Sequence, residues 1–126
     1  DDLSRGLGDV YKRQIREYLS TYEPNTFFID QIIHNVDVLT KREGMNKVDA
    51  VEQIDNVTAA LIKICDRVDN LTPTDNPLFG PSWRKKQVPS TKRLLEKYEE
   101  LKDWWVKEEP PVVSRLRERL SEIVAE

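Results

Sequence analysis

A single cysteine, a single histidine and the absence of any long apolar run limit what these 126 residues can be. Cys65 alone cannot close an intramolecular disulfide, which excludes a disulfide-stapled secreted scaffold and makes a reducing cytoplasm the expected compartment. No stretch approaches 18 consecutive apolar residues, so no segment is a candidate membrane helix. The start lacks the basic region, apolar core and small-residue cleavage site of a secretory leader, and secretion is not expected. An excess of one charge is missing too. Twenty basic residues stand against 23 acidic ones, for a net charge of −3 and a pI near 5.3. A dedicated nucleic-acid binder would normally carry a strong basic excess, so nucleic acid is not an expected partner. What is present is 38 % hydrophobic and 34 % charged residues, enough for the modest core of one domain.

The hexapeptide Asp9-Val10-Tyr11-Lys12-Arg13-Gln14 resembles one reading frame of the transposase end sequence ligated onto DNA fragments in sequencing libraries. Residues 1–14 are accordingly expected to be a non-native segment, an ordinary polar arm being the alternative. Ile15 would then be interior to a longer protein. The exclusion leaves the charge unchanged, because Asp1, Asp2 and Asp9 balance Arg5, Lys12 and Arg13.

From Ile15 onward, apolar residues recur at helical spacing and strict alternation is absent, which predicts an all-α fold of five to six helices. The first runs to about Tyr22 and stops near Pro24, whose ring disfavours the helical region for the residue before it. Asn25 or Thr26 caps a second helix with the apolar set Phe28, Ile29, Ile32, Val36 and Leu39, and Lys41, Arg42 and Gly44 form its stop signal. A short helix over about Lys47–Ile54 precedes a fourth, capped by Asp55 or Asn56 and carrying Ala60, Leu61, Ile64, Cys65 and Val68. The prolines and small polar residues of 72–89 read as a loop. Ser90 or Thr91 then caps a helix with Leu94, Leu95, Tyr98, Leu101, Trp104 and Trp105. Pro110 and Pro111 break it, and Pro111 suits the first turn of a last helix bearing Val113, Leu116, Leu120 and Val124.

The fourth helix carries the candidate chemistry. It is the most apolar in the chain, yet Asp66, Asp69 and Asn70 lie near its end. Asp66 and Asn70 are four apart and share a face. Acids in a last turn oppose the helix dipole, and a carboxylate set against local preference often marks function. A hard divalent cation favours such oxygens. In the alternative, Asp66 pairs with Lys63 or Arg67 and Asn70 caps the turn that follows.

The run Ile62-Lys63-Ile64-Cys65-Asp66-Arg67-Val68-Asp69-Asn70-Leu71 resembles the last conserved segment of the HD-domain metal-dependent phosphohydrolases. The closest branch is the RelA/SpoT-type guanosine tetraphosphate (ppGpp) hydrolases and their small relatives. Cys65 stands where alanine is usual, a small-for-small change that suits a tight core. Upstream, Val36-Asp37-Val38-Leu39-Thr40-Lys41 is similar to a second, structural segment of that family. The resemblance covers about residues 26–105 and, more weakly, the tail, so that residues 15–126 would be the C-terminal portion of an HD-type helical domain. It implies a nucleotide pyrophosphohydrolase, with Asp66 the last ligand of a divalent cation, typically manganese, and Asn70 beside the nucleotide substrate. Arg67 would brace the helix. The metal would activate water for attack on a pyrophosphate phosphorus.

The family's other ligands, an earlier histidine and a His-Asp pair, have no counterpart here. His34 is followed by Asn35 and is not read as that pair. The resemblance therefore implies a C-terminal piece of an HD-type domain, inactive as given, binding no metal alone and exposing an apolar groove where missing helices would pack, with self-association through it. The competing expectation is a non-catalytic helical binding or structural module. Glu96, Glu99, Glu100 and Asp103 superficially resemble the acidic helix of MazG-type pyrophosphohydrolases, but interleaved Lys92, Lys97 and Lys102 favour a solvated face. Arg84, Lys85 and Lys86 beside Trp83 read as solvated surface. Cys65 reads as a buried small hydrophobe, not a nucleophile. Trp104 and Trp105, about 100° apart on a helix, cannot both face inward.

Overall fold

The computed structural model describes residues 8–72, 80–102 and 108–125. They form six α-helices, with no strand among the described residues: α1 (Asp9–Ser20), α2 (Thr26–Leu39), α3 (Lys47–Glu52), α4 (Val57–Leu71), α5 (Pro81–Lys102) and α6 (Pro111–Ala125). The chain is all-α, as the periodicity predicts. It divides into two compact units, Asp1–Gln53 and Ile54–Glu126.

In the first unit α1 packs on α2. The helix starts at Asp9 rather than Ile15, so the adapter-like hexapeptide forms its first half, with acidic Asp9 in the favoured first turn. Lys12 pairs with Asp37 of α2 at 3.3 Å, and Arg16 pairs with Asp30. Asn25 caps α2 as expected, its side-chain oxygen accepting from the Phe28 backbone N–H at 3.1 Å. The buried residues of α2 are Ile29 and Ile33, while Phe28 and Val36 are exposed. The inward stripe is thus displaced from the expected one, because the sequence between Phe27 and Val38 offers apolar residues on several faces. The helix ends at Leu39, and Gly44 lies in the following turn with φ +77°, a left-handed conformation that costs other residues roughly 1–2 kcal/mol. Asn46 caps α3, and Gln53 Nε2 donates to the Thr40 carbonyl at 3.0 Å, tying the end of α3 to the end of α2.

In the second unit α4 packs on both α5 and α6, and α5 packs on α6. Asn56 caps α4 by accepting from the Ala59 N–H at 2.9 Å. Ala60, Ile64, Arg67 and Leu71 form its buried stripe, spaced as one helix face requires. The stretch 72–89, expected to be a loop, is helical from Pro81. Pro81 occupies the first turn, where its missing N–H costs nothing, and Pro89 lies inside the helix. Pro89 deprives the Lys85 carbonyl of its helical donor, so burial must offset the loss. Gln87, Ser90, Thr91, Leu94 and Tyr98 are all buried at helical spacing. Ser90 and Thr91 are therefore interior rather than caps; their hydroxyls donate to the Gln87 carbonyl. Pro111 opens α6 as expected, and Leu120 is its fully buried residue. Trp104 and Trp105 lie outside the described residues.

A carboxylate joins α5 to α6. Glu109, 11 % exposed at its side chain, accepts two hydrogen bonds from Arg117 at 2.8 and 3.2 Å. It also accepts from Ser114 Oγ and Tyr98 Oη, each at 2.6 Å. The Arg117 bonds come first in holding its carboxyl down to about 2, with Ser114 and Tyr98 adding to them against the cost of burial. Burial, then the adjacent carboxylate, pushes the Tyr98 hydroxyl well above its ordinary value. A carboxyl depressed on folding stabilises above its unfolded value, 4.5, and that contribution is lost as pH falls through about 2. Trp83 is half-buried on α5, so its fluorescence reports the unfolding of this unit. Glu109→Ala is expected to cost about 2–3 kcal/mol in urea at pH 7 and to flatten the acid limb of the stability curve. An unchanged acid limb would show that Glu109 does not carry it.

Candidate functional site

The last two turns of α4 bring the candidate residues onto one short segment. Asp66 is 47 % exposed at its side chain, and its Oδ2 lies 3.3 Å from Lys63 Nζ. Of the two partners open to it on the sequence, it takes Lys63. Asn70 follows one turn on and is half-buried. Asp69 is exposed, and the helix ends with Thr72 as C-cap, its hydroxyl donating to the Val68 carbonyl at 2.6 Å. No basic residue occupies the last turn to offset the dipole.

Cys65 is exposed, contrary to its reading as a buried small hydrophobe. The inward stripe passes through Ile64 and Arg67, and a residue one step from Ile64 is turned about 100° away from it. Ile62, Cys65, Asp66 and Asp69 form the outward stripe, with Ile62 49 % exposed.

Arg67 faces the interior. Only 7 % exposed, it donates from Nη1 to Gln87 Oε1 at 2.7 Å and, more weakly, to Thr91 Oγ1 at 3.5 Å. Burial lowers its affinity for the proton and neighbouring Asp66 partly opposes this, but a guanidinium stays charged. The bracing role expected of Arg67 matches this arrangement. Gln87 carries no expectation on the sequence, and Thr91 is expected there only as a cap. The signal for them is the spacing 87, 91, 94, 98, a stripe whose first members are polar and so escape a count of apolar residues.

Among the described residues no group of three or more His, Cys, Asp or Glu side chains could hold a metal ion. Asp66 is one ligand where a divalent site commonly takes three or more from the protein, so the residues present do not fit a complete site. His34 lies exposed on α2, in the first unit. A shallow depression lined by Lys41, Arg42, Glu43 and Gly44 belongs to a single loop, with no groups converging from a second element. Acids of α5 are engaged locally, Glu100 and Glu96 with Arg93 and Glu99 with Lys102, as a solvated face requires. Lys85 and Lys86 are exposed. No helix among the described residues is long and apolar enough to cross a membrane.

No protein-family model, curated protein or solved structure matches this chain.

The two neighbouring charges of α4 should respond differently to truncation. Asp66→Ala breaks one exposed pair, so stability should change by less than about 1 kcal/mol. Arg67→Ala strands two buried acceptors and leaves a cavity, at a cost of about 2–4 kcal/mol. Urea unfolding followed by tryptophan fluorescence measures both, and equal losses would contradict the assignment of inward and outward faces.

Proposed function

We propose that α4 is the metal-ligand helix of an HD-type nucleotide phosphohydrolase of which this chain is a part, acting on ppGpp or a related nucleotide. Asp66 is its final cation ligand, manganese being the expected ion, and Asn70 faces the nucleotide, which an amide can recognise through both a donor and an acceptor. The remaining ligands belong to sequence beyond this chain. No reaction step is assigned to this chain alone, because one carboxylate does not hold a catalytic cation.

The observation that carries the reading is the composition of the outward stripe of α4. Ile62 and Cys65 stand exposed directly beside Asp66, which supports a covering segment over this face. A covering segment that buried both would also bring ligands to Asp66. Without such a cover the chain is expected to associate with itself through these residues. The Lys63–Asp66 pair favours a second reading, a non-catalytic helical module in which the carboxylate is simply neutralised.

Sequencing the source DNA upstream of the Ile15 codon separates the two readings. The phosphohydrolase reading expects the frame to run on through a histidine and then a His-Asp pair. The protein so completed should release pyrophosphate from ppGpp with manganese. Asp66→Ala should then lose more than the ~10–100-fold that a partner outside the ligand shell costs. A start codon close to Ile15, or a completed protein without manganese-dependent hydrolysis, leaves the helical module. A monodisperse monomer of the present chain by light scattering also counts against the fragment.

A further inference from the structure

Arg67, Gln87 and Thr91 are buried together between α4 and α5, where packing alone would be served by aliphatic side chains. The Gln87 amide is used at both ends: Oε1 accepts from Arg67 at 2.7 Å, and Nε2 donates to the Trp83 carbonyl at 3.4 Å. Thr91 donates to the Gln87 carbonyl at 2.7 Å, which leaves its lone pairs for Arg67. Each acceptor for the guanidinium is thus itself held in place by α5. Apolar contacts are non-directional and tolerate rotation of one helix on another. A buried guanidinium is intolerant of it, because each N–H that loses its acceptor is left unsatisfied. Arg67 follows Asp66 directly and precedes Asn70 by three residues, so a rotation fixed at Arg67 is fixed for both.

We propose that the Arg67–Gln87–Thr91 cluster is a rotational key for α4, and that Gln87 is a positioning residue setting the direction in which Asp66 and Asn70 face. The value of that direction rests on the phosphohydrolase reading; the rotational role does not. Buried polar groups are best attested where they fix register, and their replacement by well-packed apolar residues is often neutral or stabilising. Stability and direction should therefore separate in the right variant.

That variant is Arg67→Met with Gln87→Leu, which replaces the cluster at similar volume. Cys65, the only cysteine and exposed, takes one nitroxide label, and Lys92→Cys on the exposed side of α5 takes the other. Pulsed electron paramagnetic resonance should give one narrow distance distribution with the native cluster. In the double variant it should broaden, or shift by about 5 Å, half the width of a helix, while the melting temperature falls by no more than about 5 °C. Gln87→Glu keeps an acceptor for Arg67 and should retain the narrow distribution. An unchanged distribution in the double variant, or a broadened one in Gln87→Glu, overturns the proposal. If the double variant does not melt cooperatively, the Gln87→Glu result decides. In the protein completed upstream of Ile15, the double variant should lose ~10–100-fold in hydrolysis. Should the unmutated protein show no hydrolysis, the phosphohydrolase reading fails and the label distances still decide the key.

Discussion

Burying a guanidinium costs several kcal/mol unless its N–H groups find acceptors, and in this chain the acceptors come from residues twenty and twenty-four positions further along. The requirement runs in both directions. Arg67 can be interior to the second unit only if α5 reaches back far enough to present Gln87. The first half of α5, carrying two prolines, can be helical only if something such as Arg67 engages it. Local preference and tertiary demand conflict at this point, and the tertiary demand decides the structure.

The contrast with Glu109 shows how placement sets the worth of a charge. Asp66 sits on an exposed helix face with a single lysine and gains little from it, since water competes for both ions. Glu109 is nearly enclosed and receives four hydrogen bonds from three side chains. Its carboxyl is correspondingly difficult to protonate. By this measure Glu109 is a structural acid, and Asp66 is an exposed one that the fold does not require. A carboxylate that folding could discard is the more reasonable place to look for function.

Fold class, the caps at Asn25 and Asn56 and the opening of α6 at Pro111 were legible because each depends on a few adjacent residues. The start of α5 was not, because its helicity depends on α4 and prolines read locally as breaks. Cys65 was misplaced for a related reason. Its neighbours Ile62 and Ile64 are both aliphatic, and periodicity alone does not say which of two apolar stripes is covered. For the candidate site, the spacing of Asp66 and Asn70 was readable, and the resemblance implied a bracing role for Arg67 but not its inward turn. The partners of Arg67 were invisible, since a glutamine and a threonine at helical spacing carry no apolar signal.

Pro89 has a further effect on α5. It breaks the ladder of backbone bonds inside the polar cluster, between Gln87 and Thr91, with Leu94 and Tyr98 further along. The helix is therefore continuous in shape but not in cooperativity. Residues 93–102 can hold their backbone hydrogen bonds among 89–102 while 81–88 fray, and fraying there withdraws Gln87 while Leu94 and Tyr98 stay in place. Amide exchange along this single helix should thus fall into two classes, the leading one opening at lower free energy than the unit as a whole.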